Sequence, residues 1–299
     1  MLAAKVCCES GRLPIGDCPM INQPPNNPDE HRVRALPGVP TFSGVNWEGL
    51  KTLYIKEVRR FFKVHMQTVW APAITTLLYL VIFTVALGRE GRTILGVPFA
   101  DFLAPGLIMM AMLQNSFANA SFSLMVGKMQ GTIVDYLMPP LSTGELIAAL
   151  VGAAVTRAFL VGGAVWLVMA FWPGVHVRVA HPLWVLWFGL MGALMLALLG
   201  VITSIWADKF DQAAMVTNFV VTPLSLLSGT FYSVEQLSPA FQAVSHANPF
   251  FYIISGFRHG FLGASDSPLL LGALLLGVIN LTLFAICYAL LRSGWKIKN

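Results

Sequence analysis

Charged residues fall in short clusters along this chain, and the intervals between them are long and apolar. A helix crossing the hydrocarbon core of a bilayer needs about 20 consecutive, mostly apolar residues. Lys63 and Arg89 enclose one such interval, running over residues 69–88, and Asp101 and Lys128 enclose a second. Residues 146–171 make a third, interrupted by Arg157. Arg178 and Asp208 bound the fourth, Asp211 and Glu235 the fifth, and Asp266 and Arg292 the sixth. The uncharged stretch 236–257 is long enough by count, but Pro239, His246, Asn248 and Pro249 break it and would strand polar groups in lipid. It predicts two short helices dipping in from one face. The expected fold class is an all-α membrane protein with six transmembrane helices and a re-entrant helical hairpin before the last.

Ahead of the first span, residues 47–67 place Trp47, Leu50, Leu53, Tyr54, Val58, Phe61, Phe62 and His65 mostly three or four apart. Lys51, Lys56, Glu57, Arg59, Arg60 and Lys63 fall largely elsewhere. That spacing predicts an amphipathic helix in the membrane interface, although a plain anchor for the first span has the same periodicity. Residues 1–46 have no apolar face, and Lys5, Arg12, Arg32 and Arg34 balance Glu9, Asp17, Asp29 and Glu30. The expectation is a disordered cytoplasmic tail without a secretory signal, and Met20 could begin an equally competent chain. Cys7, Cys8, Cys18 and His31 match no zinc spacing, and Cys287 lies in an apolar run, so the cysteines read as reduced thiols. The domain organisation expected is thus tail 1–46, interfacial helix 47–67 and a six-span domain 68–298.

Composition removes most alternatives. The 299 residues are 56% hydrophobic and only 11% charged, with a mean hydropathy of +0.70, where soluble domains average about 25% charged. A water-soluble enzyme does not fit. The net charge of +5 comes from 19 Lys and Arg against 14 Asp and Glu, and among so much apolar surface it indicates loops facing anionic lipid rather than nucleic acid. Lys51, Lys56, Arg59, Arg60, Lys63, Lys128, Lys209, Arg292, Lys296 and Lys298 flank one side of the expected spans, and Arg89, Arg92, Arg178 and Arg258 the other. Basic residues favour the cytoplasmic side, so both termini are expected there. Trp70, Trp172, Trp184, Trp206 and Trp295 fall near span ends, as interfacial rings do.

Candidate chemistry is sparse. After the second span, Thr132, Ile133, Val134, Asp135, Tyr136, Leu137 and Met138 form a short apolar stub that Pro139 and Pro140 terminate. Such a stub on the cytoplasmic face suggests a partner's docking groove, or else a loop folded back onto lipid. Arg157 is a formal charge well inside a predicted span, which usually means a cavity, a partner or a snorkelling side chain. Gln114, Asn115 and Asn119 on the second span and Thr217, Asn218 and Thr222 on the fifth could line a polar path or hydrogen-bond the helices together. The six histidines show no H-E-x-x-H spacing, G-x-S-x-G is absent, and no G-x-x-x-x-G-K-[ST] phosphate loop occurs. Hydrolysis of ATP by this chain alone is therefore not expected. Glu235, His246, Arg258 and His259 leave an intramembrane transferase as a lesser alternative.

The stretch 135–141, the sixfold span pattern, and the sequences Leu227-Ser228-Gly229-Thr230-Phe231-Tyr232, Asn248-Pro249-Phe250-Phe251-Tyr252 and Gly256-Phe257-Arg258-His259-Gly260-Phe261 resemble the permease subunits of type-2 ABC exporters. The nodulation-factor and capsular-polysaccharide export branch is the nearest in appearance, and the likeness covers residues 47–298. It implies that residues 132–138 are a coupling helix. It also implies that Tyr232, Glu235, Asn248, Pro249, Phe250 and Arg258 belong to a hairpin at the outer leaflet. By the same resemblance, two permease copies and two separate ABC ATPase subunits, which carry ATP and Mg, would move a lipid-linked, polysaccharide or other amphipathic substrate across the bacterial inner membrane. Drug or lipid efflux by the same architecture is the alternative. No cofactor is expected on this chain.

Overall fold

The computed structural model describes residues 45–87, 93–94, 96–137, 139–172, 175, 178–234, 237–263 and 267–296. Residues 1–44, Met138 and Glu235 lie outside the described residues. Helix α1, Trp47–Phe62, begins where the Asn46 side chain accepts the Gly49 N–H, satisfying one of the donors a helix start leaves open. A five-residue π-helical segment, Met66–Trp70, leads into α2, Ala71–Leu87. Beside this irregularity the Thr68 hydroxyl adds a hydrogen bond to the Phe61 and Val64 carbonyls, which also accept backbone N–H groups. Two residues on each side, β1 Thr93–Ile94 and β2 Val97–Pro98, then pair antiparallel around a turn in which Gly96 takes φ +77. This ribbon departs from the all-α expectation, because a tight turn between helices is closed most cheaply by short-range backbone pairing.

The remaining elements are α3 Phe99–Met129, α4 Val134–Leu137, α5 Thr143–Ala170, α6 Pro182–Trp206, α7 Phe210–Val216, a π segment Thr217–Val221, α8 Thr222–Leu226, α9 Pro239–Ala247, α10 Pro249–Leu262 and α11 Leu269–Ser293. Among the described residues four helical runs are long and apolar enough to cross a membrane: Met66–Ala86, α5, α6 and α11. The second expected span is a helix of 31 residues, about 46 Å at 1.5 Å per residue. Its Gln114, Asn115, Ser116, Asn119, Ser121 and Ser123 dilute its apolar character. The fifth is divided into pieces of seven, five and five residues.

Helix α3 tolerates its polar residues because it is the centre of the bundle. It packs against α5, α6 and α10, and Phe102, Leu103, Leu113 and Phe117 are fully enclosed. The Ser116 hydroxyl donates to the Ala193 carbonyl of α6 at 2.6 Å. At Gly200 a Cβ would come within 2.8 Å of Ala120, so this small residue sets how closely α6 approaches α3. The outward faces are apolar instead. Ile74, Leu78 and Val85 of α2 and Leu270, Leu274, Val278 and Leu281 of α11 are exposed at helical spacing, which suits helices solvated by lipid on one side.

Candidate functional site

The polar residues of the bundle gather around Glu57. Sequence spacing puts this carboxylate on the wet face of α1, yet it is completely buried, while Trp47, expected on the apolar face, is 70% exposed. The stripe that docks α1 is Leu53, Glu57 and Phe61, each four residues on. Two further contacts define how α1 packs: the Asn46 N–H reaches Glu145 at 2.7 Å, and Tyr54 shares a 2.8 Å hydrogen bond with Thr156. Successive residues of α1 thus meet successive residues of α5, and the helix runs alongside α5 instead of standing free.

A buried carboxylate needs its charge matched and its lone pairs filled. Arg60 pairs with Glu57 at 2.9 Å, the Ser123 hydroxyl of α3 donates to it at 2.8 Å, and the Tyr136 hydroxyl of α4 donates at 3.1 Å. Burial, and then the charge and hydrogen bond of Glu57, push the Tyr136 hydroxyl up to about 12. The Lys56 ammonium lies 3.9 Å above the Tyr136 ring centre, a cation–π arrangement. The far end of the same loop is held as firmly. Glu145 accepts the Asn46 and Ser142 N–H groups at 2.7 Å each, Ser142 and Glu145 complete a capping box on α5, and the Asn46 amide donates to the Pro140 carbonyl. The short loop 130–142 therefore hangs from α1 at both ends.

Next to it, Lys128 donates to the Ile205 and Ala207 carbonyls, and Lys296 donates to the Trp206 carbonyl and to Asp208, both at 3.2 Å. Two cations thereby cap the carbonyl end of α6, where the helix dipole favours positive charge.

Of the residues proposed for a polar path, the structure gathers Arg157, Asn115 and Asn119, with Ser123 beside them. Asn115, Asn119 and Ser123 are spaced by four along α3 and so share one face. Arg157 donates to the Asn115 side-chain oxygen at 3.0 Å, and Arg60 donates to the Asn119 backbone and side-chain oxygens at 3.1 and 3.3 Å. Thr217 bonds within its own helix to Ala213, Asn218 is exposed, and Gln114 is half-buried. Of the coupling segment, Thr132 and Asp135 are exposed, Ile133 is half-buried and Tyr136 is buried.

At the opposite end, Arg258 is 1% exposed, with its guanidinium carbon 3.8 Å above the Phe102 ring and an N–H on the Gly229 carbonyl at 2.8 Å. Asn248 caps α10 through Phe250 N–H and ties it to the Leu224 carbonyl at 2.8 Å. Pro249 opens α10, Phe250 is buried and Tyr232 is half-buried. The His181 and His259 rings stack with centres 5.3 Å apart.

Sequence reasoning missed Glu57, Arg60 and Ser123 as one cluster. The four-residue stripe Leu53-Glu57-Phe61 was the available signal, together with its counterpart Asn115-Asn119-Ser123 on α3.

Four helical runs apolar enough to cross a membrane pack in one bundle with a polar-cored central helix, and a short loop is tethered at one end. The chain belongs to the ABC-2 type transporter family, whose profile matches residues 48–262. Over 253 residues it is 37% identical to the inner membrane transport permease YadH of Escherichia coli K12, covering 85% of this chain and 98% of that protein. It is 31% identical to nodulation protein J of Neorhizobium galegae over 218 residues, 70% of this chain and 78% of that one. Nodulation protein J of Rhizobium leguminosarum bv. viciae is 26% identical over 259 residues. Membership in the family implies work alongside an ABC ATPase.

Proposed function

We propose that this chain is the membrane-spanning subunit of an ATP-driven exporter of the inner membrane, acting as two permease copies with two ATPase subunits on a lipid-linked, polysaccharide or other amphipathic substrate. The observation that carries the reading is the tethered loop 130–142. A coupling element must pass force from an ATPase into the spans, and this loop is joined to α1 and α3 through Tyr136 and Glu57 and to α5 through Ser142 and Glu145. Movement of the ATPase would shift these helices as bodies, the rigid rocking that alternating access needs. In this reading α3 and the run 210–226 are the second and fifth of six spans. Helices α9 and α10 form the re-entrant hairpin at the outer leaflet, and both termini are cytoplasmic.

Capture of the cognate ATPase by the tagged, full-length permease tests the proposal. Asp135 is exposed on α4, so Asp135→Lys should leave membrane yield unchanged while weakening capture about tenfold, equivalent to about 1.4 kcal/mol. Unchanged capture would move the coupling role away from this loop. Reporter fusions after Lys298 and within residues 91–98 should read inside and outside respectively, and the reverse pattern would overturn the topology.

A further inference from the structure

The polar junction holds more donors than its acceptors use. Asn119 is 2% exposed, and its side-chain N–H2 is buried without a hydrogen-bond partner. The Arg157 Nε is buried without one as well. Both unpartnered groups are N–H donors, and leaving a buried donor unmade is costly. They also lie close together: Arg157 engages Asn115 and Arg60 engages Asn119, and four residues of helix separate these amides by about 6 Å. Charge points the same way. Glu57 is committed to Arg60, whereas no ion pair joins Arg157 among the described residues, so the junction Glu57, Arg60 and Arg157 carries one excess positive charge. A cleft of 710 Å³ opens beside it on α1, bordered by Lys56, Arg59, Arg60 and Lys63 along with Glu57, and four cations around one paired carboxylate draw anions toward Arg60.

From these features we infer that Arg157, Arg60 and the Asn119 amide form a recognition site for a phosphodiester-type anion, reached through the basic cleft of α1. A guanidinium suits such a group because its planar fork matches two phosphate oxygens. The inference deepens the proposed function by giving the polar path a ligand chemistry, and it rests on that reading only for the site's role in transport. The anion has two possible sources, the headgroup of an amphiphile held in the bilayer and free phosphate.

Binding is measured on the purified full-length permease without an ATPase, so that failure to capture an ATPase and failure of this site are separate results. One arm places the protein in phosphatidylcholine nanodiscs containing a few per cent phosphatidylglycerol and reads retained lipid by native mass spectrometry. The other adds inorganic phosphate to protein in neutral detergent and reads thermal stabilisation. Saturable binding in the lipid arm, at least tenfold weaker in Arg157→Gln and only partly kept in Arg157→Lys, which retains the charge but not the planar fork, is the expected result. The exposed-residue variant Lys51→Gln should bind as the parent does. The same pattern in the phosphate arm alone would equally support the site and assign it to free phosphate. No saturable binding of either probe, or equal binding by the parent and a monodisperse Arg157→Gln protein, overturns the inference. If Arg157→Gln is not monodisperse, Asn119→Leu, which retains both guanidinium groups, serves in its place, with the same loss expected and equal binding again decisive against the site.

Discussion

The two ends of the bundle each bury a charged side chain, in different surroundings. Around Glu57 the solution is a network: an arginine from α1, a serine from α3 and a tyrosine from α4 converge on one carboxylate. Around Arg258 the surroundings are closely packed. The guanidinium lies on the Phe102 ring and bonds a backbone carbonyl, and its helix α10 is pressed so closely on α6 that a Cβ at Gly256 would fall 2.3 Å from the Phe188 ring. A network of long polar side chains can exchange partners when its elements shift, whereas a close-packed apolar contact resists displacement. In the proposed function, the Glu57 end would transmit movement and the Arg258 end would stay fixed.

The largest effect expected from breaking this contrast comes from Glu57→Ala. It leaves Arg60, Ser123 and Tyr136 without their shared acceptor, and removing one partner of a buried pair costs about 3–5 kcal/mol. A sharp fall in monodisperse yield and melting temperature should follow, and a melting temperature equal to the parent's would show that the carboxylate is not buried. Gly256→Ala should come next, at about 1–3 kcal/mol from overpacking against Phe188. Because the strain lies at the far end, the surviving folded protein should capture its ATPase with unchanged affinity; lost capture would mean that the two ends are coupled. The smallest change in stability belongs to Tyr136→Phe, about 1 kcal/mol for one hydrogen bond. Its effect should appear instead in function, as substrate-stimulated ATPase turnover of the assembled complex falling by more than the melting temperature implies. Turnover that follows stability alone would reduce the Tyr136–Glu57 bond to a structural contact.

Much of the architecture could be read along the chain. Intervals one, two, three, four and six each hold one long helix within a few residues of the expected bounds. Pro239 opens α9 and Pro249 opens α10, so the stretch splits into two helices as expected, since proline is readily accommodated in the first turn of a helix. The capping box at Ser142 and Glu145 is also a local pattern of residues three apart. The second is less apolar than the others, and the fifth is broken into three pieces. In α3 polar residues cost little because other helices surround them, and the irregular 210–226 run depends on its neighbours.

The sequence by itself determined that this is a membrane protein, roughly where its apolar helices run, and which motifs place it beside the ABC-2 permeases, because hydropathy and helix termination act over a few residues. Only the tertiary structure decided that Glu57 belongs to the interior. Its partners Ser123 and Tyr136 lie 66 and 79 residues away, and the periodicity of one helix contains no information about a face that another helix will cover. The same reason applies to Arg157. Its position inside a span marked it as unusual, but its bond to Asn115 across to α3, and the unfilled donors beside it, exist only once α1, α3 and α5 are packed together.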